Sequence, residues 1–401
     1  MQDMSTTTSP GWLRRATFYH VLIDRFAGYD PQRDPTQPVY LGGHLAAITA
    51  RLPYLQDLGV NTLWLSPFYA NVSYHGYHIT DFAAVDPQFG TEADLRSLIA
   101  AVHSRGMRII ADWVPNHCHA SHPFFQAAQA GDPVYRPWFY FDEAGRHQGY
   151  HGLGCMPRIN LDHPPTRTYM IACACHWLEM GLDGFRLDYV VGPSRAFWSA
   201  FRAAIRAAFP AAVLIAEVWL GRLRWRDRHT VDLPRKAYRL WQSRSGEIPK
   251  DSLQADYAPY FDGILDFQLH ELLSEHLAKG SRPAAALPEA LRAHYAAYAP
   301  DFALPSFLDN HDIDRFMHTC GGDVARFRQA ADLQFSLPQP PIIYYGTEWG
   351  MTHPEPLRFG QPYADLVARA PMVWTPTPTQ ADLRAFFQEL LARRRRQGLS
   401  D

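Results

Sequence analysis

The strongest constraint on the fold is an alternation of short apolar segments with segments of helical spacing. Eight short segments are almost continuously apolar and bounded by turn residues, as in strands of a parallel sheet buried on both faces. The predicted strands are residues 17–23, 60–66, 107–113, 184–188, 213–218, 262–267, 306–308 and 341–345. This pattern predicts an α/β protein, either a closed eight-stranded β/α barrel or an open doubly wound sheet.

Helices are predicted between these strands from apolar spacing and end signals. The clearest cover residues 45–58, 91–105, 194–208 and 380–396. Thr91 begins the second of these as an N-cap, and Gly106 ends it. Two features favour the closed barrel: the number of strands, and polar residues that follow nearly every strand at its C-terminal end. No glycine-rich phosphate loop follows the first strand.

Two connections are too long for simple loops. The first follows strand three and is rich in His, Pro, Gly and aromatic residues, which predicts a small insertion subdomain at residues 117–165. The predicted organisation is therefore barrel at 1–116, insertion at 117–165 and barrel again at 166–401, with no C-terminal β-domain. The second connection, residues 220–260, carries Trp225 and Trp241, and both connections are expected to wall one face of a cleft.

Composition and charge restrict the classes of partner. The 401 residues are 47% hydrophobic, and 38 basic and 40 acidic side chains give a formal net charge of -2. Such a balance favours neither nucleic acid nor an anionic membrane as a partner. The N-terminus lacks the apolar core of a signal peptide, and no run of about 18 consecutive apolar residues is present. The five cysteines form no zinc pattern and predict buried free thiols. We expect a soluble, cytoplasmic protein.

The segment GLDGFRLD, residues 181–188, ends a predicted strand with two charged residues. Alternation along the strand places Arg186 and Asp188 on one face, with Phe185 and Leu187 on the other. This segment alone fits an ion pair that closes a strand end as well as it fits a catalytic pair.

Further polar residues follow the other strands at the same end of the predicted barrel. They are Asp112, Asn116, His117, Glu217, Asn310, His311 and Asp312. Three of the carboxylates, Asp188, Glu217 and Asp312, would repel one another in one cavity unless their protonation states differed. Such a set is typical of glycosidic bond chemistry.

Four segments carry a family resemblance, in the order DWVPNH, GFRLD, IAEVW and FLDNHD. They resemble the signature regions of the α-amylase family, glycoside hydrolase family 13, and VNTLWLSP, YHGY and IYYGTEWG support the match. The resemblance covers about residues 17–398. The segment MPRIN at residues 156–160 is similar to the short motif of the cyclomaltodextrinase and neopullulanase branch.

The resemblance implies a (β/α)8 TIM barrel and a retaining hydrolase of α-glucosidic bonds. It makes Asp188 the nucleophile, Glu217 the general acid and then base, and Asp312 the residue that stabilises the transition state. A retaining mechanism needs the first two carboxyl groups about 5–5.5 Å apart, which neighbouring strands can supply. Arg186 is expected to orient Asp188 and to keep it ionised.

The resemblance also implies substrate-binding residues. His117 and His311 would donate hydrogen bonds to sugar hydroxyls, and Tyr77 would stack on the sugar with His75 beside it. The aromatic candidates for sugar platforms are Trp138, Phe139, Tyr140, Tyr150, Trp219 and Trp349. Of these we expect only Trp219 and one aromatic of the insertion to serve. Asp112 and Asn116 are expected to be structural.

No cofactor is predicted. In calcium-dependent relatives the residue that matches Asn116 binds the ion, but the Lys-His pair that follows their nucleophile is replaced here by Val191 and Gly192. Most relatives carry a β-sandwich after the barrel, and the cyclomaltodextrinase branch carries an N-terminal module; we expect neither within these 401 residues, as in a minimal enzyme or a truncated chain.

The expected partner is an oligosaccharide or polysaccharide α-glucan, with α-1,4 links and also α-1,6 links as candidates for cleavage. The sequence makes no prediction of the oligomeric state. Two alternatives stay open. The first is a transglycosylase or isomerase that uses the same covalent intermediate on glucan, trehalose-type or sucrose-type substrates. The second is a non-catalytic protein that binds glucans. Binding alone, however, gives no reason to keep three carboxylates close together.

Overall fold

Ten β-strands are present in the computed structural model, which describes residues 9–219, 250–358, 360–361 and 363–401. The strands are β1 Phe18–Val21, β2 Thr62–Leu65, β3 Tyr69–Asn71, β4 Ile79–Val85, β5 Arg108–Trp113, β6 Gly184–Leu187, β7 Val213–Ala216, β8 Gly263–Ile264, β9 Ser306–Phe307 and β10 Pro341–Tyr344. All eight predicted strands are confirmed, and each is shorter than predicted by one to three residues at one or both ends.

Eight of the strands form one parallel sheet in the order β8-β7-β6-β5-β2-β1-β10-β9. The two edges of this sheet meet, because Gly263 of β8 forms a parallel bridge with Ala303, just before β9. The Ile264 N–H donates to the Ala303 carbonyl at 3.1 Å and the Asp266 N–H donates to the Pro305 carbonyl at 2.9 Å. The predicted closed barrel is therefore confirmed, and the open sheet is excluded.

The helices lie between the strands along the chain and after the last strand. They are α1 Ile23–Phe26, α2 Leu45–Leu58, α3 Glu92–His103, α4 Pro123–Gln129, α5 Pro164–Glu179, α6 Arg195–Ala208, α7 Lys250–Tyr257, α8 Phe267–Leu273, α9 Leu287–Tyr295, α10 Phe316–Thr319, α11 Val324–Ser336 and α12 Pro378–Arg396. Thr91 forms a capping box with Asp94 at the start of α3, as the sequence predicts. Gly59 ends α2 in the left-handed conformation, with a φ of 102°.

The apolar core has two parts. Alternate strand residues such as Phe185 and Leu187 face the helices, while the other set fills the barrel. The residues buried inside the barrel include Phe18, Trp64, Ile110, Val213, Ile215, Leu265, Phe307 and Ile342. These apolar side chains fill the barrel interior. The polar side chains that also point inward therefore lie at the C-terminal mouth of the barrel.

Two local predictions are wrong. The prediction did not include β3 and β4, which pair antiparallel outside the barrel. The strand predicted at 262–267 ends at Ile264, because the Asp266 side chain accepts the Leu269 N–H at 2.9 Å and begins α8 at Phe267.

The connection after β5 contains α4 and a small set of antiparallel bridges. His117 bridges to Arg158 and Phe139 bridges to Ile159, so the two ends of the connection lie side by side. We propose that residues 117–165 form the insertion subdomain. In the second long connection, Trp225, Trp241 and the residues before 250 lie outside the described part of the chain.

Two other sequence predictions concern the cysteines and the membrane. Cys118, Cys173 and Cys320 are buried, whereas Cys155 is exposed and Cys175 is only partly buried, so the prediction of buried thiols is wrong for those two. None of the helices in the described residues combines the length and the apolar character needed to cross a bilayer.

Candidate active site

Arg186 lies at the centre of a cluster of three carboxylates. Its position on β6 is in register with Asp112 on β5, so the two side chains meet inside the barrel. Arg186 Nη1 donates to Asp112 Oδ1 at 2.8 Å and to Asp188 Oδ1 at 2.9 Å, while Nη2 contacts Glu217 Oε1. The predicted pairing of Arg186 with Asp188 is therefore present, but as part of a larger cluster.

Asp188 and Glu217 are held by the backbone of neighbouring strands. The Asp188 N–H donates to the Trp113 carbonyl at 2.8 Å, and the Glu217 N–H donates to the Leu187 carbonyl at 3.0 Å. The Tyr189 N–H donates to Glu217 Oε2 at 3.0 Å, so both oxygens of this carboxyl group have a donor. Since one guanidinium contacts both carboxyl groups, the two lie side by side at the mouth of the barrel.

Burial raises the pKa of both carboxyl groups. Burial raises the pKa of Glu217 to about 7; Arg186 opposes this shift and Asp312 adds to it. Burial also raises the pKa of Asp188 well above its ordinary value, against the effect of Arg186. Arg186 thus lowers the pKa of Asp188 as expected, but burial raises it by more, and the ionisation of Asp188 stays a prediction. One guanidinium faces three carboxylates, so its charge does not compensate for the desolvation of each.

Asp312 lies next to this cluster and is the most exposed of the three predicted catalytic carboxylates, with 29% of its side chain accessible. His311 Nε2 is 3.1 Å from Asp312 Oδ2 and 2.7 Å from the hydroxyl of Tyr77. The Tyr77 hydroxyl donates to Asp112 Oδ2 at 2.7 Å, so it accepts the Nε2 proton of His311. Tyr77 thereby links Asp112 to His311 through its hydroxyl, while its ring stacks on that histidine.

Arg369 is a site residue that the sequence analysis missed. Its Nη2 donates to Asp312 Oδ1 at 2.9 Å, and its Nε donates to the His311 carbonyl at 2.8 Å. Its Nη1 contacts Asp365, one helical turn earlier. The surrounding segment ADLVARA carries no local signal of function, and only the fold brings it beside Asp312.

His117 and His75 lie around the same mouth. The His117 ring stacks on Tyr150, with ring centroids 4.6 Å apart, and Tyr150 also meets the ring of Tyr189 edge on. Burial lowers the pKa of His117 to about 3 and the pKa of His311 well below its ordinary value, so both rings are neutral. His75 Nδ1 accepts the Tyr77 N–H at 3.2 Å, which leaves its Nε2 as the donor.

The predicted aromatic platforms differ in position. Trp219 follows Glu217 by two residues and stacks on Phe267, with centroids 5.4 Å apart, so Phe267 covers one face of its ring. Tyr150 is the insertion aromatic that reaches the carboxylate cluster through Tyr189 and His117. Trp349 packs on Tyr54 of α2 instead, so the prediction of Trp349 as a candidate sugar platform is wrong.

The region around Asn116 and Gly192 does not fit a divalent ion. The Gly192 carbonyl, four residues after Asp188, accepts a hydrogen bond from Arg158 Nη2 at 3.1 Å. Asn116 Oδ1 packs so closely against Gly192 that a Cβ at that position would collide with it. Ca²⁺ requires six to eight oxygen ligands at about 2.3–2.6 Å, and an ion that close to the Gly192 oxygen would meet the Arg158 cation.

A second group with possible ligand atoms consists of Asp314, His318 and His353, whose ligand atoms lie within 4.8 Å of one another. His353 Nε2 already accepts the Arg315 N–H at 3.0 Å, and its Nδ1 donates to the Glu355 carbonyl at 2.7 Å. Both ring nitrogens are therefore engaged, and this group does not fit a metal ion.

The chain matches the family described as alpha amylase, catalytic domain, over residues 20–153 and 147–399. It is similar to alpha-amylase 2 of Dictyoglomus thermophilum, with 32% identity over 387 residues, which are 96% of this chain and 63% of the relative. It is also similar to neopullulanase 2 of Thermoactinomyces vulgaris, with 30% identity over 97% of this chain and 64% of the relative. The chain therefore spans less than two thirds of the length of these curated relatives.

A solved structure shows the same architecture. The ligand-free cyclic alpha-maltosyl-(1→6)-maltose hydrolase from Arthrobacter globiformis has a TM-score of 0.80 and 26% identity with this chain. The match covers 98% of this chain and 85% of the hydrolase. The similarity thus extends over the barrel and over the connection that follows β5.

Proposed function

The chain belongs to the alpha-amylase family, and on that premise we propose that it is a retaining glycoside hydrolase of α-glucans. Its substrates are maltooligosaccharides or related α-glucans, in which it cleaves α-1,4 bonds, with α-1,6 bonds as a second target. The observation that carries this proposal is the contact of one guanidinium, that of Arg186, with both Asp188 and Glu217. Two carboxyl groups side by side support retention, whereas inversion needs a gap of about 6.5–9.5 Å for water.

In the first step, Asp188 attacks the anomeric carbon and forms a β-linked glycosyl ester. Glu217 gives its proton to the leaving glycosidic oxygen, whose bond to the anomeric carbon breaks. The raised pKa of Glu217, about 7, supports this role, because it keeps the carboxyl group protonated up to neutral pH. The proposed mechanism requires the proton on Glu217 and the negative charge on Asp188 when the nucleophile attacks.

In the second step, the Glu217 carboxylate takes a proton from water, and the oxygen of that water attacks the anomeric carbon. The ester bond to Asp188 breaks, Asp188 leaves as a carboxylate, and Glu217 is protonated again. The product has the α configuration, like the substrate. Burial of both carboxyl groups, with 7% of Asp188 and 6% of Glu217 exposed, supports strong electrostatic interactions with the developing charge.

The remaining site residues bind and orient the sugar. Asp312 accepts hydrogen bonds from sugar hydroxyls and stabilises the positively charged transition state, while Arg369 fixes its carboxyl group. His117 is neutral, and its buried Nε2 has no partner among the described residues, so a sugar hydroxyl is the partner that we propose. His311 Nε2, which donates to the Tyr77 hydroxyl in the free site, donates to a sugar hydroxyl when substrate binds, and the outer face of Tyr77 packs on the sugar ring. His75 and Trp219 complete the proposed substrate contacts.

The experiment that tests this function follows the anomeric form of the first products by NMR. Maltooligosaccharides, pullulan, cyclodextrin, sucrose and trehalose serve as substrates. We expect α-anomers first, and we expect Asp188→Asn and Glu217→Gln to lower turnover by at least about 10⁴-fold, since both residues act in the reaction itself. The exposed carboxylates Asp332 and Glu389 supply matched controls, Asp332→Asn and Glu389→Gln, which are expected to keep full activity.

The same spectra separate the alternatives. Initial β-anomers would exclude retention, and a fully active Asp188→Asn protein would exclude its role as nucleophile. Oligosaccharides longer than the substrate would show that a sugar acceptor replaces water, which is the transglycosylase alternative. The absence of turnover on every substrate, together with binding of maltooligosaccharides, would favour the non-catalytic alternative.

A further inference from the structure

Arg158 of the proposed insertion subdomain reaches the loop that follows the proposed nucleophile. Only 6% of this residue is exposed. Its Nη2 donates to the Gly192 carbonyl at 3.1 Å, its Nη1 donates to Gln148 Oε1 at 3.3 Å, and its guanidinium lies over the ring of Tyr140 at 5.0 Å. Burying the guanidinium charge costs free energy, and these three contacts hold it in a defined position.

The backbone of the same residue is attached to the loop after β5. Arg158 forms a bridge with His117, and the next residue, Ile159, donates its N–H to the Asn116 carbonyl at 3.0 Å. Arg158 therefore contacts the β5 loop through its backbone and the β6 loop through its side chain. These two loops carry His117 and Asp188, which the proposed function places around the cleaved bond.

We propose that the Arg158 guanidinium is a built-in cation that replaces a bound divalent ion and joins the insertion subdomain to the loops of His117 and Asp188. The Gly192 carbonyl, which could otherwise bind a cation, is used by Arg158. Asn116 Oδ1 packs against Gly192 on the same loop, so little room is left for the remaining oxygen ligands of an ion. Arginine stays charged at any working pH, so this cation cannot dissociate or be removed by a chelator.

A second contact at the end of the insertion supports the same arrangement. The Ser194 hydroxyl donates to Asp162 Oδ1 at 2.5 Å, and the same hydroxyl oxygen accepts the Phe197 N–H at the start of α6. The segment that follows Arg158 is thus attached to the region just beyond Gly192. Arg158 acts through the position of these loops and is a positioning residue, since it contacts none of the three proposed catalytic carboxylates in the hydrogen bonds described.

The test compares the parent protein with Arg158→Met and Arg158→Lys, and uses Arg146→Met as the matched control. Arg146 lies in the same insertion, but it is 81% exposed and pairs with Asp142 on the surface. Each protein is treated with EDTA and then given Ca²⁺, and the thermal midpoint and the initial rate on maltooligosaccharides are measured. Low millimolar guanidinium chloride is then added, to replace the missing group of Arg158→Met.

We expect neither EDTA nor Ca²⁺ to change the thermal midpoint or the initial rate of the parent or of Arg146→Met. Arg158→Met is expected to lose roughly 5 °C in midpoint and about tenfold in kcat with little change in KM, because a buried charge-assisted contact is lost and the loops shift. Arg158→Lys keeps the charge and is expected to lie closer to the parent. Guanidinium is expected to raise the rate of Arg158→Met and not that of Arg146→Met.

A lower midpoint of the parent in EDTA, or a higher one in Ca²⁺, would overturn the proposal. It would also be overturned if Arg158→Met behaved like Arg146→Met, or if Arg158→Lys were as impaired as Arg158→Met. If Arg158→Met does not fold, the effects of EDTA on the thermal midpoints of the parent and of Arg158→Lys still test the proposal. The thermal measurements need no turnover, so failure of this proposal and failure of the proposed hydrolase activity are distinguishable.

Discussion

At the scale of single residues, the charge balance of the barrel mouth determines the protonation of the site. Arg186 is the single guanidinium that the described hydrogen bonds place between Asp112, Asp188 and Glu217. If all three carboxyl groups were ionised, two negative charges would remain without compensation in a buried space. Retaining a proton is less costly than burying that charge, which explains why the pKa of Glu217 rises.

The raised pKa of Glu217 predicts a pH-dependent loss of stability that Glu217→Gln abolishes. Glu217 is protonated in both states below the ordinary glutamate pKa of 4.5, whereas between that pH and about 7 only the unfolded chain releases the proton. Ionisation therefore favours unfolding as pH rises, so the stability of Glu217→Gln relative to the parent is expected to increase by about 3 kcal/mol between pH 4 and pH 8. Denaturant unfolding at several pH values measures this change.

The exposed Glu389→Gln is the control for this measurement, because it makes the same substitution on the surface, outside the buried cluster. Comparing changes with pH removes any constant cost of placing an amide beside Arg186. If the Glu217→Gln difference is the same at pH 4 and pH 8, Glu217 is ionised in the folded protein at neutral pH. It could then not serve as the general acid.

The roles of residues inside the motif segments were predictable from the sequence. Contacts between residues that lie far apart in the sequence were not. Asp188, Glu217 and Asp312 were predicted from the ends of three strands, and the structure places all three at one mouth. The bond of Tyr77 to both Asp112 and His311 joins residues 35 and 234 positions apart. Such a bond depends on closure of the barrel, which no local pattern encodes.

At the scale of elements, the loop between β10 and α12 completes the site through Arg369. This loop approaches Asp312 because β10 and β9 are neighbours in the sheet. The Arg369 guanidinium contacts the Asp312 carboxylate, the His311 carbonyl and Asp365, so it fixes one loop against another. No spacing or composition in the segment indicated this role, because the partner loop begins more than 50 residues earlier.

Arg369→Met is expected to lower kcat/KM by roughly 10–100-fold, because Asp312 loses the contact that fixes its carboxyl group near the substrate. Initial rates on maltooligosaccharides measure this effect. The control is Arg384→Met, which removes an arginine bonded to Asp57 on the outside of the barrel, between α12 and α2. An unchanged kcat/KM in Arg369→Met would show that Asp312 is positioned without Arg369.

The secondary structure elements themselves were predictable to different degrees. The boundaries of α2 were predicted to the residue, because apolar spacing and Gly59 define both ends. The two-residue strands β8 and β9 were predicted in the right place but too long. For β8 the reason is that Asp266 begins a helix where the apolar pattern continues. The β3–β4 pair was missed because β3 has only three residues and the antiparallel pair lies outside the strand-helix alternation.

At the scale of the whole molecule, the closed barrel brings residues from distant segments to one mouth. Eight apolar strands predicted this architecture, and the bridge between β8 and the segment before β9 confirms closure. The family, predicted from four segments, is confirmed as well. The position of Arg158 between two barrel loops was not predictable, because the insertion has neither the spacing nor the end signals of regular elements.

The central claim, that Asp188 forms a covalent bond to the sugar, is tested most directly by trapping the intermediate. The protein is incubated with a fluorinated α-glucosyl fluoride, whose second step is slow, and is then denatured and examined by mass spectrometry. We predict the addition of one glycosyl group, located by peptide mapping on Asp188 and absent from Asp188→Asn. A label on Glu217 or Asp312, or turnover without any labelled protein, would contradict the account.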